Sequence, residues 1–138
     1  MKIGIGLLTF ERIECKELFL SQLKKNPPFH DYKLHVEEDN TNIAKGKNNC
    51  LSALADCDYI FLFDDDCFVI KKNWDLPFIE SGFPHLLFMD GRHGAIESNN
   101  IVTSYSDCAG CFLFLTNEAF KKVGYFNTDY RINGLEHI

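Results

Sequence analysis

Residues 58–66 read Asp58-Tyr59-Ile60-Phe61-Leu62-Phe63-Asp64-Asp65-Asp66. The apolar row Tyr59–Phe63 is continuous rather than alternating, which predicts a strand with both faces covered by helices. It stops abruptly at three carboxylates. Upstream, Ile3–Leu8 is another short apolar run, with Gly4 and Gly6 inside it, and Tyr32–Val36 alternates weakly. Between these two, Cys15, Leu18, Phe19 and Leu23 fall at helical spacing, with Glu and Lys on the other face. Asn26-Pro27-Pro28 ends that helix. A second helix, capped by Thr41 or Asn42, carries the stripe Ile43, Cys50, Leu51 and Leu54. The order strand, helix, strand, helix, strand predicts an α/β fold: a mostly parallel central sheet flanked by helices.

The rest of the chain is less regular. Leu86–Met89, Ile101–Tyr105 and Phe112–Leu115 read as strands, with Gly91–Asn100 a polar connection. Thr116 caps a short helix with Phe120 and Val123 inward, Lys121 and Lys122 in its last turn, and Gly124 closing it. No repeat, low-complexity tract or linker interrupts the sequence, so a single domain over residues 1–138 is expected.

Composition narrows the function classes. The chain has 138 residues, a formal net charge of −6, 46% hydrophobic and 25% charged residues, the profile of an ordinary globular domain. No apolar run reaches the ~18 residues of a membrane span. The opening Met1–Glu14 meets charge too early for a secretion signal. The acidic balance argues against general nucleic-acid binding. Cysteines stand at 15, 50, 57, 67, 108 and 111, several inside apolar patterns. A reduced, cytoplasmic protein is the expectation. Cys108-Ala109-Gly110-Cys111 has CxxC spacing. It lacks the second pair that zinc would want, and it runs into a strand rather than opening a helix, so buried or bystander thiols are expected.

In an open parallel α/β sheet, ligands bind beyond the carboxyl ends of the strands. Those ends here carry Thr9-Phe10-Glu11-Arg12, Glu38-Asp39-Asn40 and Asp64-Asp65-Asp66. Three adjacent carboxylates repel one another, and a divalent cation relieves that repulsion. Oxygen ligands suit Mg²⁺ or Mn²⁺. Strand alternation puts Asp64 and Asp66 on one side, able to hold a metal and a sugar hydroxyl together, with Asp65 pointing away. The plainer alternative is a solvated turn.

The stretch 58–66 resembles the DxD motif of GT-A glycosyltransferases, family 2 and its relatives. Ile3–Arg12 is similar to that family's first strand, which usually ends in Thr-x-x-Arg. Asp39-Asn40 sits where an acidic residue follows its second strand. Asn42-Ile43-Ala44-Lys45-Gly46-Lys47-Asn48 resembles its G-x-x-x-A-R-N-x-G-like helix start. Gly110–Asn127 resembles its acceptor-side block, and Gly134-Leu135-Glu136-His137 sits where the family has Gly-x-Glu-Asp. The resemblance covers nearly the whole chain, in the family's order. It implies the Rossmann-like GT-A fold of nucleotide-diphospho-sugar transferases, with residues 1–66 as nucleotide-binding half and 67–138 as an incomplete acceptor-side half.

The function implied is transfer of a sugar, with inversion, from a nucleotide-diphosphate sugar (a UDP-sugar) to an acceptor hydroxyl, dependent on Mn²⁺ or Mg²⁺. The acceptor, whether saccharide, lipid-linked or protein, is left open. Thr9, Glu11, Arg12, Asp39, Lys47, Asp64 and Asp65 are implied in nucleotide-sugar binding, and Asp66 with Asp64 in metal binding. Glu136 or His137 is implied as the general base, His137 standing where the family has Asp. A solvated helix lysine at 47 and a frayed end at 136–137 are the bland alternatives. Ending one residue beyond His137, the chain is expected to be either a minimal enzyme or a truncated one; the truncated reading predicts donor binding with weak or absent transfer, and a homodimer that covers exposed apolar surface. Competing classes are a non-catalytic nucleotide-sugar-binding module and a haloacid-dehalogenase-type phosphohydrolase. The latter's DxD lies near the N-terminus and is followed by Thr or Val and a Gly, unlike Cys67-Phe68-Val69 here.

Overall fold

The computed structural model describes residues 1–38, 41–87, 95–105 and 110–129. Strand β1 (Ile3–Leu8) is an interior strand of the main sheet. Ile3, Ile5 and Leu7 are fully buried toward Phe19 and Leu23 of helix α1 (Ile13–Lys25). Gly4 and Gly6 face the other way, where helix α2 (Ile43–Ala53) approaches closely. A Cβ at Gly6 would stand 2.7 Å from Leu62 Cδ2 and 2.9 Å from Cys50 Cβ. The glycines of the apolar run are therefore the space in which α2 packs.

Strands β2 (Tyr32–Glu37) and β3 (Tyr59–Asp64) flank β1, both parallel to it. The register pairs Leu8 with Glu37 on one side and with Asp64 on the other, so the three carboxyl ends are level. Beyond β3 come helix α3 (Leu76–Glu80), strands β4 (His85–Leu87), β5 (Ala95–Ser98), β6 (Thr103–Tyr105) and β7 (Phe112–Thr116), and helix α4 (Asn117–Val123). The main sheet has the order β2-β1-β3-β7-β4, and β5 and β6 form a separate antiparallel pair.

Strand β7 runs antiparallel to both of its neighbours, β3 and β4. The sheet is therefore mixed, which corrects the expectation of a mostly parallel, Rossmann-like sheet. The physical reason is that a continuous apolar strand such as Phe112–Leu115 reports burial on both faces and is silent about direction. Three smaller corrections follow. The polar stretch expected over Gly91–Asn100 contains β5. Of the run expected to be a strand from Leu86, β4 covers His85–Leu87, and positions 88 and 89 lie outside the described residues. Val123, expected inward, is 76% exposed, while Phe120 is buried as its spacing predicts.

Two apolar cores form, one on each face of the sheet. On the α1 side, Phe61 and Phe63 of β3 and Phe112 and Phe114 of β7 meet Trp74 and Phe78. Rings there approach edge-on, Phe61 to Trp74 at 4.9 Å and Phe63 to Phe112 at 4.9 Å, the geometry favoured by the ring quadrupole. On the other face Cys50 and Leu51 of α2, its C-cap Leu54, and Phe120 of α4 cover Ile60, Leu62, Leu113 and Leu115. A buried carboxylate ties the lower loops. Asp75 accepts from the Phe29 and His30 backbone N–H groups at 2.7 and 3.2 Å and contacts His30 Nδ1 at 2.7 Å. Among the described residues no helix is long and apolar enough to cross a membrane.

Candidate functional site

The level strand ends open a cavity of about 460 Å³, within the range of small-molecule sites. Leu8, Thr9, Phe10 and Arg12 line it after β1, Glu37 at the end of β2, and Asp64–Asp66 after β3. Thr41, Ile43 and Gly46, at and just before the first turns of α2, supply the remaining wall. The walls are thus apolar where β1 and α2 meet and acidic at the ends of β2 and β3.

The three aspartates have three different environments. Asp64 is the last residue of β3 and half-buried; its N–H donates to the Cys111 carbonyl at 2.9 Å. Its carbonyl accepts from Cys67 N–H at 3.1 Å, closing a turn over residues 64–67. Asp65 and Asp66 therefore belong to a turn, where strand alternation no longer applies. Asp65 is 7% exposed and accepts from Thr9 Oγ1 at 2.8 Å and from Arg12 Nη1 at 2.7 Å. Asp66 is exposed. Asp65 thus fastens the loop after β1 to the turn after β3.

The Asp65 charge, followed by Cys15 and Asp66, holds the Arg12 guanidinium above even its ordinary range. A neighbouring residue, Glu11, has a left-handed backbone (φ 53°), a conformation costly for a non-glycine side chain. Glu11 itself is exposed and is not part of the cavity wall.

The other expected residues are placed as follows. Lys47 is buried on α2, donates from Nζ to the Gly110 carbonyl at 3.2 Å, and stands 5.6 Å from the Phe126 ring centre. It is not part of the cavity wall. Asp39, Glu136 and His137 lie outside the described residues, as does Cys108. The structure therefore brings Thr9, Arg12, Asp64, Asp65 and Asp66 together and leaves Glu11 and Lys47 apart.

Residues passed over as site candidates turn out to shape the cavity or its frame. Glu37 lines it and accepts from Asn49 Nδ2 at 2.8 Å. Asn48 holds the Phe126 backbone at both ends, its Nδ2 donating to the carbonyl at 2.9 Å and its Oδ1 accepting from the N–H at 2.8 Å. Asn42, the cap of α2, accepts from Lys45 N–H and donates to the Thr128 carbonyl, both at 2.9 Å. The available signal was position: Glu37 ends a strand, Asn42 caps a helix, and Asn48 lies in that helix's second turn.

Two thiols adjoin the acidic turn. Burial pushes the Cys67 thiol up, its hydrogen bond with Cys111 adds to that, and the charges of Asp66 and Asp64 act in the same direction. Among the described residues no three His, Cys, Asp or Glu side chains group as a metal site built from protein ligands alone would require. Mg²⁺-type sites commonly use one or two carboxylates and complete their shell with substrate phosphates and water. Asp64 and Asp66, both in the cavity wall, fit that smaller demand. Comparison with protein-family models, curated proteins and solved structures finds no match.

Proposed function

We propose that this chain is a metal-dependent glycosyltransferase, similar to family 2, that moves a sugar from a nucleoside-diphosphate sugar to an acceptor hydroxyl. One observation carries the reading: an acidic turn, tied through Asp65 to Thr9 and Arg12, forms the wall of a cavity at three level strand ends. The cavity supplies an apolar wall from Leu8, Phe10 and Ile43, suited to the face of a base. The half-exposed Arg12 spends one hydrogen bond on Asp65 and has further N–H donors for acceptors on a ligand.

Glu37, Asp64 and Asp66 repel a diphosphate, so a nucleoside diphosphate enters this cavity only with a cation. Mn²⁺ or Mg²⁺, held by Asp64 and Asp66, would offset the charge that builds on the leaving diphosphate. Glu136 or His137 would take the proton of the acceptor hydroxyl as its oxygen attacks the anomeric carbon from the face opposite the leaving group. UDP is the nucleotide we assign to the donor.

Calorimetry with UDP, with and without Mn²⁺, tests this. Binding that requires Mn²⁺ is expected. Tight binding without metal, or no binding of any nucleotide, overturns the mechanism.

A further inference from the structure

Two short segments meet at the end of the sheet opposite the cavity. One, residues 24–30, begins in the last turn of α1; the other, residues 69–74, follows the acidic turn. Asn26 Nδ2 donates to the Val69 carbonyl at 3.3 Å, and the Asn73 N–H donates to the Pro27 carbonyl at 3.0 Å. The carbonyl of Asp31, next in the chain after the first segment, accepts from Ile3 N–H at the start of β1. The joined segments therefore lie beside the amino ends of the strands, whereas the cavity is at their carboxyl ends.

Their composition departs from that of the chain. In a protein of formal net charge −6, they hold Lys24, Lys25, Lys71 and Lys72 and no Asp or Glu. All four lysines are exposed, and among the described residues none is in an ion pair. Beside them two large apolar residues stand in water, Ile70 at 81% exposed and Phe29 at 63%. The acidic residues that follow the two segments are Asp31, which is exposed, and Asp75, which is fully buried and taken up by Phe29 and His30. Lys24 and Lys25 alone would be explained by the negative end of the α1 dipole. That explanation does not reach Lys71, Lys72 or the two exposed apolar side chains.

From this arrangement we infer that the patch docks the protein on an anionic lipid bilayer. Each lysine near an anionic leaflet strengthens partitioning about five-fold. Ile70 and Phe29 enter the boundary between headgroups and acyl chains, which takes from water apolar surface that the fold leaves there. Nucleic acid fits less well, because an aliphatic side chain such as Ile70 offers no ring on which a base could stack. The inference goes beyond the transferase reading and does not depend on it, since docking at this end leaves the cavity untouched.

The experiment is sedimentation of the full chain with lipid vesicles. The chain is expected to sediment with vesicles of phosphatidylglycerol and phosphatidylcholine in equal parts, to stay in solution with phosphatidylcholine alone, and to be released as salt is raised. The double variant Lys71→Glu with Lys72→Glu should weaken binding by about 25-fold or more, and Ile70→Ser by about ten-fold. All of these positions are exposed, so the thermal midpoints should stay at the native value. Lys121→Glu with Lys122→Glu, the same charge change on α4, should leave vesicle binding as it was. No sedimentation with the anionic vesicles, equal sedimentation with phosphatidylcholine alone, or an equal loss from the α4 variant overturns the inference. Tighter binding of duplex DNA than of vesicles at equal phosphate also overturns it, in favour of a nucleic-acid surface.

Discussion

The tie between Arg12 and Asp65 predicts an inversion of the usual rule that exposed residues matter less. The Arg12 side chain is 52% exposed and that of Asp65 only 7%. Replacing Arg12 by Ala leaves a buried carboxylate with the Thr9 hydroxyl as its remaining hydrogen-bond partner of the two seen here. A charge-assisted hydrogen bond to a buried group is worth about 1.5–3 kcal/mol, and water reaches the abandoned acceptor poorly. Discounted for the open cavity on one side, Arg12→Ala costs about 2 kcal/mol. Asp65→Asn differs. Its amide oxygen still accepts from Thr9 Oγ1, and the freed guanidinium turns to solvent, so the cost is about 1 kcal/mol or less. Asp65→Ala adds an unsatisfied, buried Thr9 hydroxyl and costs about 2 kcal/mol. Urea unfolding of the three variants, at unchanged m-value, measures this. If Asp65→Asn proves more damaging than Arg12→Ala, burial of the carboxylate does not govern the pair and the reasoning fails.

Three further outcomes are expected. Gly6→Ala puts a Cβ 2.7 Å from Leu62 Cδ2 and 2.9 Å from Cys50 Cβ; overpacking of about 1–3 kcal/mol should appear in the same urea assay, and a neutral result would mean that α2 gives way freely. For Asp75, burial alone raises its carboxyl, but the hydrogen bonds from Phe29 N–H and from His30 outweigh it, leaving it below the ordinary 3.8. A carboxyl lowered by folding stabilises above its unfolded value and loses that contribution as pH falls through the folded one. The thermal midpoint of the native chain should therefore fall more steeply below about pH 4 than that of Asp75→Asn; parallel curves would exclude the linkage. Asp66→Ala, at an exposed turn position, should leave the thermal midpoint unchanged and abolish Mn²⁺-dependent UDP binding, and native affinity in that variant would move the cation elsewhere.

The first half of the fold was legible because each signal there has one physical cause. The apolar runs at 3–8 and 59–63 are strands because helices cover both of their faces. Asn42 and Thr116 cap helices because their side chains accept from the N–H three residues on. What the pattern could not convey was direction and distant pairing. Phe112–Leu115 looks the same whichever way it runs, and so the reversal at β7 was missed. The pair Asp75 and His30 is equally silent in sequence, because the two lie 45 positions apart and neither belongs to a periodic run.

The acidic turn shows how far residue type alone carries a site. Three consecutive carboxylates suggest a repulsion that a cation must relieve, but that reasoning treats them as equivalent. They stop being equivalent where β3 ends, because a turn replaces alternation after Asp64. Asp65 swings inward and is neutralised by Arg12, a residue contributed by the other parallel strand end. Its charge is therefore already balanced within the protein, and it makes no demand for a metal. The demand that remains comes from Asp64 and Asp66, with Glu37 also in the cavity wall. Acidic groups gathered in one cavity wall repel an anionic ligand as well as one another. A cation shared with such a ligand relieves both repulsions at once, which is why metal dependence, more than affinity, is the property on which the proposed function stands.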